Sequence, residues 1–303
     1  MSFDTEITHD GETLAGPLRA PTQMLAEQEY AGHTSVHDDE TAAKLGLAGA
    51  PIEGPTHFSQ IDPLAVERWG QVWFEHGCVS SHFLNMVVAG EQVRATLEPV
   101  TPTLARIAAE KADATPVLAG TASIGRADPT ELDERRQRGL GDPGDLYIID
   151  QLEIGMHVAV PEPVTMRFDE HNGNLYPFSL AQKLDRITEC SSWYLPDGHS
   201  PWGRPIVPTE MISVIAHRSN VHFPVRRPAI GLFIDLEVRF VDGPVFVDQP
   251  YFVEHALVGI GQTKRVESYW TESTITDAET GAHAATVLLH QGVFKASFAD
   301  YPT

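Results

Sequence analysis

Cysteine is nearly absent from this chain: Cys78 and Cys190 are the two among 303 residues, and they sit at no metal-ligand spacing. That excludes a disulfide framework and a thiolate zinc site, and both thiols are expected to be reduced and structural. Long apolar runs are absent too, none approaching the roughly 18 residues that a membrane span requires. Basic residues are few, 21 Lys and Arg against 42 Asp and Glu, for a formal net charge of -21. A chain this acidic repels nucleic acid and anionic membrane surfaces, so neither is an expected partner. The start, Met1-Ser2-Phe3-Asp4-Thr5-Glu6, lacks the basic-then-apolar pattern of a signal peptide, which leads to the expectation of a cytoplasmic location. No Gly-x-Ser-x-Gly elbow is present, which argues against an α/β-hydrolase serine mechanism. Gly259-Ile260-Gly261-Gln262-Thr263-Lys264 lies among strand-like runs without the spacing of a dinucleotide fingerprint or a phosphate loop.

What is present is a soluble globular composition, 42% hydrophobic and 21% charged. The length favours two domains of about 150 residues each. Two halves share one plan. Pro51-Ile52-Glu53-Gly54-Pro55-Thr56-His57-Phe58-Ser59 opens a helical pattern running through Ile61, Leu64, Ala65 and Trp69, and Pro205-Ile206-Val207-Pro208-Thr209-Glu210-Met211-Ile212-Ser213 opens another through His217. Strand-like runs follow each, 80–88, 104–109 and 117–124 in the first half and 234–241, 251–258, 268–276 and 284–294 in the second. Several strands around one central helix predict a curled antiparallel sheet wrapped on that helix, an α+β arrangement in each half. The polar stretch 128–144 reads as a linker with an exposed helical turn, placing the domains at 1–145 and 146–303.

The candidate chemistry gathers between residues 36 and 57. Val36-His37-Asp38-Asp39-Glu40-Thr41 is a titratable cluster leading into a short helix, and Gly54-Pro55 opens the long one. Backbone N–H groups at a helix start lack internal partners and carry partial positive charge, so the Gly54 turn can stabilise a carbonyl oxygen that gains charge. Pro55 suits the first helical position, and Thr56 accompanies it. His37 supplies an imidazole, a side chain suited to acid/base work, against a structural role fastening its loop. Asp38 is a possible carboxylate partner, its commoner use being a helix N-cap. Glu53 and His57 flank the turn and can face the same crevice. His33 and His37 have the spacing of two metal ligands on a helix, but Thr34-Ser35-Val36 reads as loop or strand and no third ligand is evident, so no metal or other cofactor is expected. Arg226-Arg227 and Lys264-Arg265 are the basic pairs available to a phosphate-bearing ligand.

With these residues in view the chain resembles the MaoC-like dehydratases and R-specific enoyl-thioester hydratases. The match rests on His37 followed by Ala42-Ala43 and Gly46, on Pro51-Ile52-Glu53-Gly54, and on Phe83 to Val88 with Gly90 and Val93. It is clear over about residues 30 to 100 and extends over the rest as architecture. The resemblance implies a double hotdog fold, two antiparallel sheets each wrapped on a central helix. It also implies hydration or dehydration at the 2,3 position of a coenzyme A or carrier-protein thioester, with a homodimer or a related hotdog subunit as partner. That family carries an Asp five residues before the His; here the position is Gly32. In the second half, placing Ala181 on Ala42 puts Tyr176 opposite His37 and His171 opposite Gly32, so the dyad is missing there too. Two alternatives follow: a hotdog thioesterase with Glu53 as its key residue, and a non-catalytic or repurposed thioester-binding subunit.

Overall fold

The computed structural model describes residues 2–302 except 31, 32, 139–141, 220 and 222, and of residues 33 and 34 the backbone alone. The strands of the first half are β1 (Thr8–Asp10), β2 (Thr13–Ala15), β3 (Gly77–Phe83), β4 (Val93–Pro99), β5 (Leu104–Lys111) and β6 (Pro116–Ile124). Those of the second are β7 (His157–Ala159), β8 (Val164–Thr165), β9 (Gly231–Phe240), β10 (Pro250–Gln262), β11 (Val266–Asp277) and β12 (His283–Phe294). Burial alternates with a period of two along β4 and β10, and in β4 it is Val93, Ala95 and Leu97 that point inward while Arg94 and Glu98 point outward.

The two expected sheets are fused along one edge. The strand order is β1-β2-β4-β5-β6-β3-β9-β12-β11-β10-β8, with β7 beside β10, and the pairings are antiparallel. The seam is β3 against β9, running from Asp235 opposite His82 to Arg239 opposite Cys78. An edge that a lone half would leave exposed is thus paired inside the chain.

Each half keeps its central helix. In the first, a 3-10 turn at Gly54–His57 leads into α2 (Phe58–Trp69), which buries Phe58, Ile61, Leu64 and Ala65 and ends at Gly70, whose φ of 63° only glycine adopts easily. In the second, α6 (Thr209–His217) is buried from Thr209 to Ala216, as expected of a helix enclosed on all sides. The two helices touch one another, so one hydrophobic core spans both halves. Short helices α1 (Asp39–Lys44) and α5 (Leu180–Leu184) occupy corresponding places ahead of them, and α3 (Val72–His76) follows α2. The stretch read as linker holds α4 (Glu131–Gln137), capped by Thr130 and Asp133. It is more than an exposed turn, since Leu132 is fully buried against Trp270 and Leu288.

Candidate active site

A cavity of about 220 Å³ opens where the Gly54 turn meets α6. His37, Glu53, Gly54, Pro55, Thr56 and His57 all line it, so most of the sequence-derived candidates converge on one space. The second half adds Phe178, Lys183 and Glu210.

His37 is held by a 2.8 Å hydrogen bond between its Nδ1 and the Pro51 carbonyl. A carbonyl only accepts, so Nδ1 carries the proton and Nε2 of the neutral ring keeps its lone pair. The bond that fastens the loop therefore also prepares a base. Capping residues place Phe178, rather than Tyr176, opposite His37, because Asp38 caps α1 as Ser179 caps α5.

On the same cavity lies a buried polar group in which Glu53 and His57 were expected from the sequence and Lys183 and Glu210 were not. Glu53 accepts a 2.8 Å bond from the Met24 N–H through Oε1, while its Oε2 is buried with no partner among the described residues. Lys183 reaches the Thr56 hydroxyl at 3.2 Å and pairs with Glu210 Oε2 at 3.0 Å. Burial pushes the Glu210 carboxyl up to about 7, with the Lys183 charge opposing, and Oε1 of Glu210 has no partner among the described residues. Burial would lower the Lys183 amine, but Glu210 and Glu53 hold it above its usual value and charged. His57 is pushed down to about 4 by burial, against a bond with Gln60 that raises it, and is neutral at physiological pH; its Nδ1 too lacks a partner among the described residues. Three buried polar atoms without partners on one cavity are rare in a folded protein and point to groups that a ligand or water completes. A carboxyl titrating near 7 beside a fixed cation can move a proton at physiological pH.

The two helix starts differ. Among the described residues the Gly54 N–H meets no backbone or side-chain acceptor, and Gly54 lines the cavity. Glycine is needed there because a Cβ would come within 2.6 Å of the Phe83 ring. At the other start, Pro208 corresponds to Glu53, not to Gly54 or Pro55, since Met211 N–H bonds Pro208 O as Thr56 N–H bonds Glu53 O. Thr209 then stands where Gly54 does, and its hydroxyl donates to the carboxylate of Asp62, which also accepts from Trp73 and Tyr194 and so sits at this helix start. One helix start is filled by the protein's own anion; the other is open to the cavity.

Several expected residues are elsewhere. Asp38 caps α1, its Oδ2 accepting from the Thr41 N–H at 2.8 Å and hydroxyl at 2.7 Å, and it does not line the cavity. Arg226 is paired with Asp150 and lies over the Tyr147 ring, while Lys264 and Arg265 sit in the exposed turn between β10 and β11. Arg227 alone of the four lines a cavity, at a neighbouring chamber, so these residues form no common phosphate patch. His33 lies in a two-stranded ribbon with Tyr30, which removes the helical spacing to His37. Gly32 is outside the described residues. Lys183 and Glu210 were missed because neither carries a motif; the one available signal was a Glu within the apolar opening of the second helix.

No family model matches the sequence. No curated protein matches it either. Solved structures do. A protein named as a MaoC domain protein dehydratase from Chloroflexus aurantiacus superposes with a TM-score of 0.52 at 13% identity, covering 97% of this chain and 95% of its own. A conserved hypothetical protein from Mycobacterium tuberculosis with a double hotdog fold gives 0.49 at 13%, covering 84% and 86%. A protein named as thioesterase II from Thermobifida fusca gives 0.44 at 14%, covering 95% of each. At such identities the likeness concerns the fold, and it agrees with the strand order and paired central helices: the chain is a double hotdog protein.

Proposed function

We propose that the protein is a hydro-lyase that hydrates or dehydrates an acyl thioester of coenzyme A or a carrier protein at the 2,3 position. The observation that carries this reading is the convergence of His37, Glu53, Glu210 and the open Gly54 N–H on one cavity. In the hydration direction the thioester carbonyl sits at the Gly54 N–H, which stabilises the oxygen as it becomes enolate-like. His37 Nε2 takes a proton from water, whose oxygen bonds to C3, with Glu53 on the same cavity wall. Glu210 delivers a proton to C2, closing the balance. On this reading Glu53 takes the part of the carboxylate missing at Gly32, and Thr56 and Pro55 line the acyl path. A homodimer, or pairing with a related hotdog subunit, belongs to the same proposal and is measured by light scattering.

The test is loss of absorbance at the enoyl-thioester band with crotonyl and longer thioesters. His37→Ala is expected to slow it by about 10²–10⁴-fold. Loss of the band without free thiol supports the hydro-lyase. Free thiol released with the band intact supports hydrolysis instead, which the unpartnered Glu53 Oε2 beside the helix start would also serve. A silent assay with retained thioester binding would leave a binding subunit.

A further inference from the structure

A second chamber, of about 120 Å³, adjoins the first. Gln28, Tyr30, Tyr176, Gly231, Phe233 and Gln291 line both, so the two share a wall. The chamber lies past the C-terminal end of α6, between the following segment and the inner faces of β10, β11 and β12, from which His255, Thr271 and Leu289 project into it. Its place beside the reaction cavity, with the buried Phe223, His255, Tyr269 and Leu289 on its wall and the exposed Arg227 at its edge, lets it receive the far end of an acyl group.

Its lining mixes apolar side chains such as Leu175, Phe223, Leu289 and Val293 with polar groups. The rings of His217 and His255 stack at 5.8 Å, fastened through their Nδ1 atoms to Ser213 O at 2.9 Å and to the Ser273 hydroxyl at 2.8 Å. The Tyr269 hydroxyl donates to Gln291 Oε1 at 3.0 Å, which turns the amide of Gln291 into a fixed donor. A Cβ on Gly231 would come within 2.8 Å of that amide nitrogen, so glycine leaves the group room at the shared wall. The Ser219 hydroxyl is buried with no partner among the described residues. Methylene groups packed here would leave that hydroxyl unsatisfied, whereas a ligand oxygen would complete it.

Resting on the hydro-lyase reading, we propose that this chamber selects acyl groups bearing a neutral oxygen, hydroxyl or keto, at their distal end, with Ser219 and Gln291 as the recognising groups. A site built to hydrogen-bond a substrate oxygen discriminates strongly against the analogue without it.

The experiment compares decenoyl and ω-hydroxydecenoyl pantetheine thioesters, with crotonyl pantetheine as a substrate that ends within the first cavity. Turnover is followed by absorbance, and binding of the matching thioethers by calorimetry. The ω-hydroxy compound is expected to be favoured by about tenfold or more. Ser219→Ala, which removes a single oxygen, should abolish most of that preference, and Gly231→Val, at the wall the two chambers share, should weaken both long compounds more than crotonyl. Equal handling of the two long thioesters, with crotonyl turned over, overturns the selectivity and leaves the hydro-lyase reading intact. Weakening of crotonyl by Ser219→Ala identifies the chamber as a pantetheine route and overturns the proposal. If no thioester is turned over, the catalytic reading fails and the thioether affinities decide: a tenfold preference sustains the chamber's role, and equal affinities or no binding end it.

Discussion

Asp62, on the central helix of the first half, accepts a 2.6 Å hydrogen bond from the Thr209 hydroxyl at the start of the other central helix. Burial pushes its carboxyl up to about 6, while the bonds from Thr209, Trp73 and Tyr194 oppose the rise. A folded-state value raised above the unfolded 3.8 means this group favours the fold fully below 3.8 and loses that contribution as pH rises through 6. The difference corresponds to about 3 kcal/mol. Urea unfolding across this window should show wild type falling relative to Asp62→Asn as pH rises, and parallel curves would refute the assignment.

The opposite sign holds at the seam. The Asp235 carboxylate accepts 2.6 Å bonds from His82 and from His290, with the Arg135 guanidinium 3.2 Å away but angled off hydrogen-bond geometry. Burial alone would raise this carboxyl; the bonds from His290 and His82 prevail and hold it below the usual carboxylate range. Its contribution is present above the unfolded value of 3.8 and is lost as pH falls through the lower folded one. Asp235→Ala should cost about 3–5 kcal/mol at neutral pH, because it strands the cationic and donor groups around it. A loss below about 1 kcal/mol in chemical denaturation would show that the cluster holds little of the seam's stability.

Much of the fold was legible in the sequence, because β4, β5 and β10 alternate in burial with a period of two, and both helix openings carry Pro and a following apolar stripe. His37, Glu53, Gly54 and His57 were legible for a related reason: they lie within one short segment, so proximity in sequence became proximity in space. Lys183 and Glu210 were not, since Lys183 on α5 meets Glu210 on α6 and Thr56 of the first half only once the chain has folded. Asp62 gave no signal either; a carboxylate inside an apolar helix looks misplaced until the Thr209 helix start arrives beside it. Arg226 looked free for a phosphate because its partner Asp150 lies 76 residues away.

Gly54→Ala should destabilise the protein by about 1–3 kcal/mol, because the new methyl collides with Phe83. Shrinking the ring with Phe83→Leu should restore much of the loss. If the double variant folds and regains turnover, the backbone N–H and not the bare space at Gly54 is what the reaction uses. Thermal melts and initial rates of the two variants separate these effects.

Removing the cation beside Glu210 tests the assignment of the acid. The Lys183 charge lowers the Glu210 carboxyl, so Lys183→Met should raise it further and shift the alkaline limb of the hydration pH–rate profile upward by about one unit. Glu210→Gln should erase that limb in either background. A limb that stays in place in both variants belongs to another group.

The seam between β3 and β9 also settles a question of symmetry. In an assembly of two identical chains every residue occurs twice, so a carboxylate that filled one helix start would fill both, and neither could receive a substrate. Because a single chain supplies both halves, Asp62 and Glu53 need no counterparts, and Thr209 and Gly54 can be different residues. With both paired halves carried by one chain, one helix start can be filled by the protein's own carboxylate while its twin stays open.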